Sequence, residues 1–332
     1  MRYVLLQLLL PMAATHAATI PTRFEADRVF ATPTTTTGET LRLYTDTGGG
    51  ANLLCRNVAR RLGLRVETLP PNEKLASELG DDLGRATLPP SRPDAGIPAN
   101  QDGDASFLVH DCAKVGKGLG EGLLSQHWFA GRTWTWDYPA QRLSLENANW
   151  TPASGARSVP LGFRRAEADS PAFHMPRIVV RIDGKPIDML LDTGATGAPT
   201  RQALVAQPTP APVNGVRATS FITKSTLDTW HAAHPEWIVV DKADDLFAPK
   251  FIARAIRVPH VDIAGSTIGP VWFTERPDAA FRAMMSSMTD RPVEGALGGN
   301  ALAHFRMTLD YAQALAYFEC LRDCAATPPP AP

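Results

Sequence analysis

Leu190-Leu191-Asp192-Thr193-Gly194-Ala195-Thr196 closes a mostly apolar run that begins at Ile187. As local structure it reads as a buried strand that ends by presenting a carboxylate at its tip. Upstream, Leu41-Arg42-Leu43-Tyr44-Thr45 leads into a second such tripeptide, Asp46-Thr47-Gly48. One Asp-Thr-Gly is a common polar turn, since all three residues favour turns. Two of them, each closing a strand-like run and about half the chain apart, form a constellation.

Paired carboxylates have a chemical use. Held close together they cannot both ionise, so they share a proton. One can then act as general base on a water while the other donates to a substrate carbonyl. Thr47 and Thr193 can hydrogen-bond across a two-fold axis and fix the turns, and Gly48 and Gly194 let backbone come close to the carboxylates. The bland alternative is two unrelated polar turns.

A second repeat supports the pair. Gly122-Leu-Leu-Ser leads to Trp136-Asp137-Tyr138, and Gly295-Ala-Leu-Gly leads to Leu309-Asp310-Tyr311. The interval from glycine to aspartate is 15 residues both times, without a gap. Leu124 matches Leu297, and Thr135 matches Thr308. Each half therefore runs Asp-Thr-Gly, a Gly-x-Leu turn, then a strand ending in Asp-Tyr. That is a tandem duplication, and it predicts a bilobal, pseudo-two-fold structure with one carboxylate from each lobe.

At these residues the chain resembles the aspartic peptidases, the pepsin and retropepsin superfamily. The stretch Asp46 to Leu64, which ends in Leu62-Gly63-Leu64, is similar to the retropepsin-like branch, as is Asp192-Thr-Gly-Ala-Thr. The resemblance implies a mainly β, bilobal acid-protease fold with a few short helices. It implies Asp46 and Asp192 as the catalytic dyad, supported by Thr47, Gly48, Thr193 and Gly194. In that family an apolar-apolar-Gly segment packs beside each active turn. Here Ala296-Leu297-Gly298 keeps the pattern, and Leu123-Leu124-Ser125 carries serine in the glycine's place.

Composition sets the bounds. The chain has 332 residues, 44% hydrophobic and 20% charged, which describes a globular protein of two lobes. A net charge of −1 gives no basic surface for nucleic acid. Arg2, the apolar stretch Val4–Ala14 and Thr15-His16-Ala17 read as a secretory signal over residues 1–17, too short to span a bilayer. The expected division is then an N-terminal lobe over 18–150, a C-terminal lobe over 151–324 and a disordered Pro-rich tail over 325–332. A mature chain starting near Ala18 is expected in the periplasm or outside the cell, with no membrane span. Only 28 residues, Ala18 to Thr45, then precede Asp46, so no long prosegment is expected.

Four cysteines suit an oxidising compartment. Pairing Cys55 with Cys112 and Cys320 with Cys324 keeps each bridge within one half, but spacing alone does not decide connectivity. Neither the cysteines nor the scattered histidines have metal-ligand spacing, so no metal and no cofactor is expected.

Several elements can be placed. Asn52–Leu62 has helical spacing of Leu53, Leu54, Val58 and Leu62. Arg177 to Leu191 reads as a hairpin about an Asp183-Gly184 turn. Ser225–His234 reads as a short helix. Trp237–Val240, Ala255–Val258 and Val271–Thr274 read as strands. Ala279–Met288 reads as a helix with Phe281, Met284, Met285 and Met288 on one side. The function expected is an aspartic endopeptidase, active as a monomer on peptide or protein substrates. The alternative is a silent relative that binds peptide or a protein partner in its cleft, a reading kept open by the lack of any tyrosine between Asp46 and Gly122 and by Ser125.

Overall fold

A computed structural model describes residues 17–70, 82–114, 118, 120–167 and 172–326. The expected signal segment lies outside them except for Ala17. The molecule is mainly β, with three large sheets.

The first sheet has eight strands, in the order Thr22–Glu25, Arg28–Ala31, Leu43–Thr45, Gly122–Leu124, Leu53–Cys55, Ser106–His110, Gly84–Thr87 and Glu67–Thr68. The second half repeats that path strand for strand. Gly162–Arg164 pairs with Phe173–Ile182, followed by Lys185–Leu191, Gly295–Leu297, Ser220–Thr223, Val271–Arg276, Phe251–Val258 and Val239–Phe247. In each half the strand entering Asp-Thr-Gly runs parallel to the Gly-x-Leu strand, Thr45 beside Leu124 and Leu191 beside Leu297. A bilobal fold with internal pseudo-symmetry follows directly from the duplicated sequence.

A six-stranded sheet joins the lobes. Its central pair is Thr133–Asp137 with Phe305–Asp310, one strand from each half. Thr135 lies opposite Thr308, and their hydroxyls are 2.8 Å apart. The local two-fold axis passes between these two matched residues. The repeated Asp-Tyr also finds its reason here. Asp137 Oδ1 accepts from Ala140 N at 3.0 Å, and Asp310 Oδ1 accepts from Gln313 N at 2.9 Å, so each aspartate closes the turn after its strand. Trp128, Phe129, Trp134 and Trp136, all 1% exposed or less, fill the core behind the first lobe.

Some local expectations need correction. Leu53–Cys55 is a strand, and the helix occupies only Arg56–Arg61. The apolar residues are buried on both sides by pairing with Ser106–His110 and Gly122–Leu124, and that tertiary pairing overrides helical spacing. Ala279–Met284 is a π-helical turn and Met285–Met288 a 3₁₀ turn. Phe281 is buried while Met284 is 52% exposed, so the methionines share no single face. Trp237 precedes its strand, which spans Val239–Phe247, and stacks on His234. Ala325–Ala326, within the expected tail, pairs with Ser266–Thr267. Residues 327–332 lie outside the described part.

Both expected disulfides form, Cys55–Cys112 and Cys320–Cys324, and no cysteine is free. Cys55–Cys112 closes a separation of 57 residues, against 4 for the other. Cross-linking a longer loop removes more entropy from the unfolded chain. Replacing Cys55 and Cys112 by serine should therefore cost about 2–4 kcal/mol in denaturant unfolding, and the same change at Cys320 and Cys324 clearly less. Equal losses for the two bridges would contradict this ordering.

Candidate active site

The strand Leu43–Thr45 ends at Asp46, and the strand Lys185–Leu191 ends at Asp192. Each carboxylate's backbone is tied to the neighbouring Gly-x-Leu strand. Asp46 N donates to Leu124 O at 2.8 Å, and Asp192 N donates to Leu297 O at 2.9 Å. The two carboxyl groups interact with each other across the turns, each packed against the glycine of the opposite Asp-Thr-Gly. The second carboxylate oxygen network is symmetric too: Gly48 N donates to Asp46 Oδ1 and Gly194 N to Asp192 Oδ1, both at 2.9 Å.

The two threonines interlock beneath the carboxyls. Thr47 Oγ1 donates to Leu191 O at 2.6 Å and accepts from Thr193 N at 3.0 Å. Thr193 Oγ1 donates to Thr45 O at 3.1 Å and accepts from Thr47 N at 3.2 Å. Both side chains are fully buried. The glycines are required by the close approach of the lobes. A Cβ on Gly48 would fall 2.8 Å from Asp192 Cγ, and one on Gly194 would fall 2.1 Å from Asp46 Cγ. Any side chain there would push the carboxyls apart.

Ser125 and Gly298, the positions where the repeats differ, are held by matched but different partners. Ser125 N and Oγ both donate to Asn52 Oδ1, at 2.9 and 3.1 Å. Gly298 N donates to Ser220 Oγ at 3.1 Å. Asn52 and Ser220 occupy equivalent places, each just before or at the start of the strand opposite. A hydroxyl on one side of the contact in one lobe thus stands on the other side in its counterpart. A Cβ at Gly298 would meet Thr219 O at 1.8 Å, so only the first lobe has room for the serine.

Tyr44, Arg28 and Asn52 were not singled out by the sequence pattern. The Tyr44 hydroxyl lies 2.8 Å from Thr196 Oγ1 and 3.3 Å from Thr193 O, reaching from the first lobe to the second Asp-Thr-Gly turn. Arg28 is 1% exposed and sits 4.5 Å over the Tyr44 ring, and its Nη2 donates to Gly118 O. The available signal was positional: Tyr44 stands two residues before Asp46, where the second half has Leu190.

The electrostatics make the carboxyls weak acids. Burial pushes Asp46 well above the ordinary carboxylate range, the charge of Asp192 pushes the same way, and the Gly48 and Gly49 N–H groups pull it back. Burial also pushes Asp192 up to about 6, against hydrogen bonds from Asp46, Gly194 and Ala195. Two coupled carboxyls of this kind titrate as a pair: the first proton leaves near 6, and Asp46 keeps the second to higher pH. The side-chain hydroxyl that could lower these values is missing after both Asp-Thr-Gly turns, at Gly49 and Ala195. At Gly49 its place is taken, since a Cβ there would come within 2.8 Å of Leu123 Cδ2.

Among the described residues no group of three or more His, Cys, Asp or Glu could hold a metal ion, and no helix is long and apolar enough to cross a membrane.

No protein-family model matches the chain, and no curated protein matches its sequence. Among solved structures it is similar to Basic 7S globulin from soybean, at 11% identity and a TM-score of 0.46, covering 92% of this chain and 95% of that one. It is similar also to conglutin gamma, a unique basic 7S globulin from lupine seeds, at 10% identity and a TM-score of 0.44, with the same coverage.

A carboxyl whose folded pKa is raised binds a proton that the unfolded chain has already lost. Its contribution therefore weakens the fold as pH rises from the ordinary aspartate value of 3.8 through about 6. Asp192→Asn removes that charge while keeping the shape. It should raise unfolding stability by about 1–3 kcal/mol at pH 7.5 and change it little at pH 3. Thermal or denaturant unfolding at the two pH values checks this; a loss of stability at pH 7.5 would contradict it.

Proposed function

We propose that the protein is an aspartic-type endopeptidase of the retropepsin-like branch, active as a single bilobal chain in the periplasm or outside the cell. The observation that carries the reading is the pair of buried carboxyls, brought together where the two Asp-Thr-Gly turns interlock. In this reading Asp46 and Asp192 are the catalytic residues. They hold a water between them; the charged carboxyl takes its proton as the oxygen attacks the peptide carbonyl, and the protonated one donates to the carbonyl oxygen. The tetrahedral diol then loses the amine, which takes a proton from one carboxyl while a diol hydroxyl gives its proton to the other, so the acyl part leaves as a carboxylic acid and one shared proton remains for the next cycle. Both carboxylates belong to one chain, so the reading needs no second subunit. The two disulfides agree with an oxidising compartment.

A second reading has its own support. No tyrosine lies between Asp46 and Gly122 to reach over the cleft, so the same groove serves equally a protein that holds a peptide or a protein partner without cutting it.

A peptide library incubated with the purified protein from pH 3 to 8 separates the two. A peptidase should show turnover that rises as pH climbs toward the value of about 6 for Asp192, where the dyad gives up the first of its two protons, and falls at higher pH as Asp46 loses the shared one. Asp46→Asn and Asp192→Asn should each lower turnover by about a hundredfold to ten-thousandfold with an unchanged far-UV spectrum. Binding without cleavage across the whole range would favour the second reading, and cleavage that survives either substitution would remove the dyad from the mechanism.

A further inference from the structure

The duplication allows the two walls of the cleft to be compared position by position. Leu53 lies opposite Leu123 and Leu108; Phe221 lies opposite Ala296 and Thr274. Leu69 N donates to Leu83 O, and Asp244 pairs with Ala253 at the matching place. This face looks toward the dyad, because a Cβ at Gly49 would touch both Leu123 Cδ2, at 2.8 Å, and Asp46 Cγ, at 3.1 Å. The first lobe thus carries Leu53, Leu69, Leu83, Leu108 and Leu123. The second carries Phe221, Asp244, Ala253, Thr274 and Ala296. The same face of the first lobe also carries Arg85, opposite Leu108, and His110, two residues beyond it, so the leucines form an apolar patch there, and the second lobe has no matching patch.

Arg276 lies two residues beyond Thr274 on the same strand, and so on the same face. Its guanidinium is only 5% exposed. It sits between two aromatic rings, 4.0 Å from the centroid of Phe221 and 5.0 Å from that of Phe247. Nη1 donates to Glu275 O at 2.9 Å, and Nη2 has no hydrogen-bond partner among the described residues. The nearest carboxylate, Asp244, is 3.8 Å from Nη1. Its oxygens already accept from Ala198 N at 2.6 Å and Leu246 N at 3.3 Å. Glu275 is engaged by Arg254, at 2.9 and 3.1 Å. The cation is therefore buried with incomplete compensation, a costly state, and burial lowers its pKa to about 10. Phe247, which forms the outer plate of the sandwich, closes the strand Val239–Phe247 and is 49% exposed.

We propose that Arg276 is a specificity-determining residue of the second lobe, and that it receives an acidic side chain of a bound peptide as Phe247 moves aside. This rests on reading the groove as a peptide site. The carboxylate supplies the acceptor that Nη2 lacks and the counter-charge that Asp244 gives only in part. The leucine wall of the first lobe takes an apolar side chain. A peptide that fits both walls carries an acidic residue on one side of the dyad and an apolar residue on the other.

The test uses the Asp192→Asn protein, so that binding is read without turnover. Fluorescence anisotropy compares labelled peptides that differ only by Glu, Gln or Leu at each position in turn. At one position Glu should bind about tenfold or more tighter than Gln. Adding Arg276→Met should bring that ratio to about one, and Arg276→Lys, which keeps the charge, should retain a preference for Glu. A ratio near one at every position, or a preference that survives Arg276→Met, overturns the assignment of Arg276 alone. Failure of every peptide to bind overturns it together with the peptide reading of the groove.

Discussion

Each lobe of this molecule follows a strand of its sheet with a turn that buries a threonine, and the two threonines, Thr47 and Thr193, complete one another. Neither hydroxyl can be satisfied within its own lobe. Thr47 gives its proton to Leu191 and takes one from Thr193, while Thr193 does the reverse with Thr45 and Thr47. Each such bond contributes only about 1 kcal/mol net, but leaving the buried groups unpaired costs about 1–3 kcal/mol apiece. The interlock therefore fixes the separation of the lobes. It also brings two carboxyls together, against their mutual repulsion and the cost of burial. Glycines at 48 and 194 follow from the same constraint, because the opposing carboxyl occupies the space of a side chain.

On this symmetric frame the chain lays an asymmetric chemistry. Tyr44 and Arg28 brace the second active turn from the first lobe, where the matching positions of the second half carry Leu190 and Met175. The facing sheets differ in the same way, with a leucine patch and His110 in one lobe where the other has Asp244 and the buried Arg276. A duplicated backbone needs symmetry only where the halves meet. Away from that axis each copy is free to diverge.

The axis is also what could be read from the sequence. Residues such as Asp46, Asp192, Thr135 and Thr308 lie where both copies must keep the same residue, so the repeat is visible without a structure. The Asp-Tyr pairs were legible for the same reason, since both aspartates close the same turn. Leu53–Cys55 was not. Its strand is made by partners more than fifty residues away, and its own spacing suits a helix. Arg276 gave no signal either: its counterpart in the register is His110, and nothing local marks a charged residue that stacks between two rings from distant strands. The Ser125 substitution was visible, but its compensation by Asn52 was not, because the partner exchange with Ser220 and Gly298 exists only across the paired strands.

The central claim is that Asp46 and Asp192 act as one coupled acid. Carboxyl carbon NMR of selectively labelled aspartate, titrated from pH 2 to 9 and assigned with the two Asn variants, reads this directly. The account predicts that both resonances move together in two steps, with a shared proton held at least to about pH 6. Two independent titrations near the ordinary aspartate value of about 3.9 would contradict it.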